Sequence, residues 1–297
     1  MTRLAAFERH CPDSVEGVTE LLDSLGDEAI VYAGGTELFL LSKFGFAEYP
    51  HVIDLKGVEE LRGIERSGGR LRIGATETHR SIERHPEVRR DWPALASMER
   101  GVGNLRVRTM GTIGGNLCFA DPHSDPATFL LTVDGEIEAR RGDGEPRRMK
   151  LEDFIVGPYE NALEDGELLT SISVGELAPD AGVAHQKFIL TERPAITAAC
   201  HLRIEDGSLA DVRLAVGSAG VRAARAEAAE GLLNESGISD LDRVFEEAGP
   251  LAADAAEAVE DANGSVEYKR HVVAVVCRRV VDEAISAIGQ ENDIRPL

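Results

Sequence analysis

The residues best suited to chemistry in this chain are small ones. Gly34 and Gly35 lie in the run Ala33-Gly34-Gly35-Thr36-Glu37, followed by Leu38, and a second glycine pair lies in Thr112-Ile113-Gly114-Gly115-Asn116. A pyrophosphate is held by several backbone N–H groups converging on it, and glycine permits the torsion angles and close backbone approach this needs. Thr36, Thr112 and Asn116 add side-chain donors. The first pair follows the apolar Ala29-Ile30-Val31-Tyr32 and precedes an apolar helical stretch, so the first amides of that helix would face an anion held there. A lone glycine pair between strand and helix is more often a tight turn. Two pairs, the second in a stretch dense with turn formers, hydroxyls and amides running on to Ser124-Asp125, predict a dinucleotide clamped between two subdomains. Amides and hydroxyls would hold its pyrophosphate, and the Asp125 carboxylate a ribose or adenine donor.

Other chemistries lack their residues. There is no G-x-x-x-x-G-K-[ST], and the nearest approach to G-x-G-x-x-G, Gly101-Val102-Gly103-Asn104-Leu105-Arg106, has arginine for the third glycine and no buried strand leading in. His123, Ser124 and Asp125 are adjacent, but three consecutive side chains do not form a triad and no G-x-S-x-G is present, so loop structure is expected for His123 and Ser124. His79, His85 and His201 show no metal spacing. Cys11, Cys118, Cys200 and Cys277 lie far apart with no C-x-x-C, which argues against a disulfide framework or a cysteine-ligated cluster and for buried free thiols.

Acidic residues outnumber basic ones 53 to 32, for a formal charge of -21, a field that repels nucleic acid and anionic lipid headgroups. The basic residues are nearly all arginine, with lysine only at positions 43, 56, 150, 187 and 269. That balance suits a high-salt cytoplasm, and a GC-rich genome would also enrich alanine and arginine. Charge at Glu8 and Arg9 interrupts the start of the chain, and the longest apolar stretches, near Val272 to Cys277, are far too short to span a bilayer, so a soluble, cytoplasmic protein without membrane insertion is expected.

The positioning elements follow from periodicity. Ser14 to Gly26 reads as an amphipathic helix, Ala29 to Tyr32 as a strand, Glu37 to Phe44 as a second helix and His51 to Leu55 as a strand. From Gly57 short strands at Leu71 to Gly74, Gly135 to Arg140 and Leu168 to Val174 mix with a helix at Pro93 to Glu99 and a long loop from Thr112 to Asp125. The segment 175–182, with proline, glycine and acidic residues, is the best linker. Beyond it three strands, Ala184 to Leu190, Ala198 to Ile204 and Leu209 to Val216, precede helices at Ala223 to Leu233, with a solvated charged face up to Glu230, and Tyr268 to Ile288. The expected fold class is α+β, with domains at 1–177 (subdomains about 1–56 and 57–177) and 178–297, at a length suited to about two structural units.

The same residues carry a family likeness. Ala-Gly-Gly-Thr-Glu-Leu after a strand, Ile53-Asp54-Leu55, Ile73-Gly74-Ala75 with Thr78-His79, and Met110 to Asp125 together resemble the FAD-binding medium subunit of molybdopterin dehydrogenases, the carbon monoxide dehydrogenase and xanthine dehydrogenase family. Glu167-Leu168-Leu169, Lys187, Val212 to Gly217 and Tyr268 to Arg279 resemble that family's C-terminal domain. The resemblance implies a two-subdomain FAD-binding fold of the vanillyl-alcohol oxidase type, followed by a C-terminal domain of a small antiparallel sheet with helices. It implies FAD on this chain, its pyrophosphate across Ala33 to Glu37 and Thr112 to Asn116, with Asp125 toward the adenosine end. Val102, Leu169 and Lys187 would line the flavin pocket, Lys187 at the pyrimidine end, where its charge would stabilise reduced flavin.

The resemblance further implies an electron-transfer oxidoreductase subunit without its own catalytic residues or metal. Its partners would be a small subunit with two [2Fe-2S] clusters and a large subunit with the molybdenum cofactor, arranged as a dimer of heterotrimers. Electrons would leave for NAD, a quinone, a carrier protein or oxygen. Where several family members carry Asp-Tyr or Asp-Ile-Ala, this chain has Arg193-Pro194-Ala195, so an aromatic neighbour of the isoalloxazine ring is expected to be absent. A stand-alone FAD-dependent reductase or oxidase, and a nucleotide-sensing or assembly module, are the competing functional readings.

Overall fold

The computed structural model describes residues 5–288; the sequence readings at 1–4 and 289–297 lie outside the described residues. Its first layer is a three-stranded parallel sheet of β1 (Glu8–His10), β2 (Ala29–Tyr32) and β3 (His51–Asp54), in the order β1-β3-β2. Helices α1 (Val15–Leu25) and α2 (Leu38–Phe44) make the two crossovers that parallel pairing requires. Ser14 caps α1 by accepting the Gly17 amide, and Val15 and Val18 bury against Ala29, Ile53 and Leu55. The strand and helix readings here agree with the structure to within a residue at each end.

The second layer is an antiparallel sheet. Strands β4 (Ile64–Ser67) and β5 (Arg70–Gly74) are followed by five short helices: α3 (His79–Arg84), α4 (Pro86–Asp91), α5 (Pro93–Gly101), α6 (Leu105–Met110) and α7 (Ile113–Phe119). Helix α8 (Asp125–Leu130), strands β6 (Glu136–Arg140) and β7 (Arg147–Lys150), helix α9 (Leu151–Phe154), a small hairpin of β8 (Ile155–Gly157) with β9 (Glu160–Asn161), and β10 (Leu168–Gly175) complete it. The sheet order is β4-β5-β10-β6-β7. The stretch 112–125, expected as a long loop, holds helix α7 and the first residue of α8: Thr112 and Ser124 cap α7 and α8 through their hydroxyls, and tertiary packing overrides the low helix propensity of Gly114 and Gly115.

The third layer is a four-stranded antiparallel sheet of β11 (Ala181–Ile189), β12 (Pro194–Glu205), β13 (Ser208–Gly217) and β14 (Ala224–Arg225), in sequence order. Both faces of β12 are covered. Ile196, Ala198, Cys200 and Leu202 pack toward the last helix, at Val266–Ala287, while Ala199 joins the core of the second layer. Helices α10 (Glu227–Leu233), α11 (Leu241–Ala255) and α12 (Val266–Ala287) close this unit, with Val273, Cys277, Val280, Val281 and Ala284 of α12 fully buried. The helix expected from Ala223 begins only at Glu227, because Ala224 and Arg225 pair with β13. Its acidic face is not wholly solvated either. Glu230 is buried, accepts the Leu214 amide at 2.7 Å and binds Arg225. Helix α11 had no reading in the sequence, where Pro250 and scattered acidic residues hide its period.

Candidate functional site

The first glycine run leaves the C-terminal end of β2 and enters α2. None of the backbone amides from Gly34 to Leu38 has a hydrogen-bond partner among the described residues; the first bonded one is Phe39, which donates to Gly35 O at 3.2 Å. Five adjacent half-buried residues thus hold unpartnered donors, an arrangement that persists only where water or an anion satisfies them. Gly35 has φ +67°, and a side chain there would strike Tyr32 and Phe39. Gly34 is needed for a different reason. A Cβ on it would lie 2.1 Å from Met110 O and 2.8 Å from Gly111 Cα, so the first loop lies directly on the approach to the second.

The second loop spends its amides internally. Ile113 N–H donates to Glu77 O and Gly114 N–H to Ala75 O, each at 3.0 Å, while Gly115 N–H and Asn116 N–H bond the Thr112 hydroxyl and carbonyl. The sequence reading has amides of both loops facing a pyrophosphate, and these four are bonded within the protein. Gly114 serves packing, since a Cβ there would lie 2.6 Å from Ala75 O. What this loop offers outward is exposed Gly115 and the half-buried Asn116, whose Oδ1 accepts the Ser124 hydroxyl at 2.5 Å and whose amide NH2 has no partner among the described residues. Leu38 lines a small cavity under α2 with Phe7, Ile30 and Phe39.

Asp125 and Lys187, which the resemblance assigns to opposite ends of the dinucleotide, form one ion pair at 2.8 Å. An extended dinucleotide sets its two ring systems many ångströms apart, so these residues act at one place. Lys187 is on the edge strand β11, yet it crosses to the second layer and also donates to Gly101 O at 2.7 Å. The pair is mostly withdrawn from water, with the side chains 19% and 5% exposed. Asp125 Oδ1 has no hydrogen-bond partner among the described residues and faces His185 Nε2 at 3.6 Å. Burial pushes the His185 imidazole down to about 4, against the pull of Asp125 and with the push of Lys187, so it is neutral near pH 7. Val102 and Leu169 are 6% and 2% exposed and belong to the main core of the second layer.

Three contributors escaped the sequence reading. Arg193, from the β11–β12 turn, donates to Glu37 at 3.2 Å and to Asp121, tying the third layer to the first glycine loop and to the turn that follows α7. His79 and Glu99, buried at 2% and 0% exposure, meet at 2.6 Å behind the second loop, and the His79 amide donates to Gly111 O. The motif containing His79 was visible in sequence, but its buried partner twenty residues on was not. At the departure site Pro194 and Ala195 begin β12, with Pro194 O bound to the ring of His123 at 2.9 Å and Ala195 buried. Among the cysteines the uniform expectation of burial fails at Cys11, which is exposed, while desolvation pushes the thiols of Cys118 and Cys277 up to about 12, too high for reactivity.

A parallel βαβ unit ending in unpartnered amides, a second loop packed onto it and a buried ion pair beside them define a dinucleotide-binding protein, and the donor set fits the pyrophosphate of FAD. The model for the FAD-binding domain in molybdopterin dehydrogenase matches residues 5–176, and that for the CO dehydrogenase flavoprotein C-terminal domain matches 192–284. The chain belongs to this family of flavoprotein subunits. It is 30% identical over 285 residues to the carbon monoxide dehydrogenase medium chain of Hydrogenophaga pseudoflava, covering 94% of this chain and 96% of the relative. It is 30% identical to the nicotine 6-hydroxylase medium subunit of Paenarthrobacter nicotinovorans, covering 95% and 98%. A solved carbon monoxide dehydrogenase from Hydrogenophaga pseudoflava superposes with a TM-score of 0.92 at 29% identity, covering 97% of this chain and 100% of the other. Among the described residues, no helix is long and apolar enough to cross a membrane.

Proposed function

We propose that this chain holds one FAD against its two glycine loops and works as the electron-transfer subunit of a molybdenum hydroxylase complex. Electrons would arrive from [2Fe-2S] clusters of a small partner subunit, which receive them from a large subunit with the molybdenum cofactor, and would leave for an external acceptor. The observation that carries the reading is the run of unpartnered amides from Gly34 to Leu38 pressed against Met110 and Gly111. Bound FAD supplies the redox chemistry, taking electrons singly or in pairs, so no nucleophile or acid–base dyad is asked of the protein.

The residues of the chain position and screen. The amides of Gly34 to Leu38 take the pyrophosphate charge, with Ala33, Thr36 and Glu37 shaping that loop and Thr112 to Asn116 forming the floor against which it closes. Asp125 and Lys187 present one fixed dipole to the cofactor, and Val102 and Leu169 hold the wall behind. The unit at 1–177 would have the two-subdomain fold of the vanillyl-alcohol oxidase type, 178–297 the C-terminal flavoprotein fold, and the complex would be a cytoplasmic dimer of heterotrimers.

The visible spectrum and metal content of the protein purified with its natural partners test this reading. Flavin bands with iron–sulfur absorbance and molybdenum are expected. Flavin alone in an active, partner-free enzyme would overturn the complex, and a colourless chain that stays colourless after FAD addition would overturn the flavoprotein.

A further inference from the structure

Glu8 and His10 are two residues apart on the edge strand β1, so their side chains leave the same face of the sheet. The parallel register pairs Glu8 with His51 of β3, which brings a second imidazole to that face. His51 Nδ1 lies 3.0 Å from His10 Nε2 and 3.7 Å from Glu8 Oε2, and all three ligand atoms fall within 4.8 Å of one another. Neither glycine loop contributes to this cluster, and Arg9 and Asp54, which pair with each other, project from the opposite face.

We propose that Glu8, His10 and His51 bind a borderline divalent transition-metal ion of the zinc class. A tetrahedral ion with bonds of about 2.0–2.1 Å sets its ligand atoms roughly 3.3 Å apart, a spacing that the two measured separations bracket. Two imidazoles and one carboxylate suit zinc, cobalt or nickel, whereas magnesium and calcium call for all-oxygen shells. A hydrogen bond between the imidazoles accounts for the 3.0 Å contact alone. The single Nδ1 of His51 carries either one proton or one lone pair, and it faces both the other ring and the carboxylate; an ion shared by all three satisfies them together. Such an ion clips the three-residue β1 to β3 and leaves a coordination position open to water.

The test uses the full chain with FAD bound, dialysed against micromolar free zinc and then analysed for metal. One zinc per chain is expected, with affinity lowered at least about tenfold in His10→Gln combined with His51→Gln, and less in Glu8→Gln. Zinc should also slow amide exchange across residues 8–10 in the natural chain and not in the double variant. Unchanged FAD content in that variant shows that it is folded. No bound zinc in the natural chain, or equal zinc in the double variant, overturns the proposal, the latter placing the ion on surface carboxylates instead.

Discussion

From Gly34 to Leu38 the backbone amides have no partners among the described residues, whereas from Ile113 to Asn116 each amide is bonded within the protein, to Glu77, Ala75 or Thr112. The two glycine pairs look alike in sequence and solve different problems. In the first, Gly35 takes a left-handed conformation and the absent side chain of Gly34 lets one loop touch the other, beside a run of donors without partners among the described residues. In the second, Gly114 lets α7 press on Ala75, so the loop becomes a rigid floor. A glycine pair therefore announces close backbone approach, and only the hydrogen-bond partners tell whether the thing approached is a ligand or the protein itself.

Gly34→Ala is the sharpest way to break this comparison. Its Cβ has no room against Met110 O, so the loops must part, and FAD affinity measured by fluorescence should fall at least about a hundredfold, the equivalent of about 3 kcal/mol. Unchanged affinity would mean that the unpartnered amides are not the FAD site.

Lys187→Ala comes next. It strands the Asp125 carboxylate in a nearly dry setting and should cost about 3 kcal/mol in urea unfolding. Lys187→Met combined with Asp125→Leu separates structure from electrostatics: recovered stability with an altered flavin potential supports action on the cofactor. If Lys187→Ala leaves FAD affinity and flavin potential unchanged, the residue has no such role.

A smaller effect is expected with pH. His185 is neutral in the fold with its titration near 4, while the unfolded chain takes up the proton near the ordinary 6.5. The unfolded state therefore binds more protons between those values, so stability is greatest above the upper one and falls as pH drops toward the lower. At pH 5 the loss should be about 2 kcal/mol, and His185→Gln should flatten the urea midpoint between pH 7 and 5. A variant with the same slope as the natural chain would remove His185 as its source.

The smallest change is expected from Gly115→Ala. That glycine is exposed, and its added methyl meets only the Thr112 hydroxyl that caps α7, at 2.8 Å. A stability loss of about 1 kcal/mol, the worth of one cap, with FAD affinity nearly intact is expected in thermal melts and FAD titration. A loss of FAD as large as that of Gly34→Ala would restore equal roles to the two loops.

Strands and helices with strong local periodicity, such as Ala29 to Tyr32 and Tyr268 onward, were legible because alternating or helical burial is written in adjacent residues. The glycine loops and the family likeness were legible for the same reason, since their motifs are contiguous. The sequence by itself determined most strands and helices of the first unit, the cofactor class and the acidic, arginine-rich composition. Only tertiary structure decided that Asp125 meets Lys187 across 62 residues, that Arg193 of the C-terminal layer holds Glu37 and Asp121, and that His79 is buried against Glu99. Such partners are joined by how the layers stack rather than by spacing along the chain. Even hydrogen-bond availability, the property separating one glycine loop from the other, depends on which distant carbonyls arrive beside it.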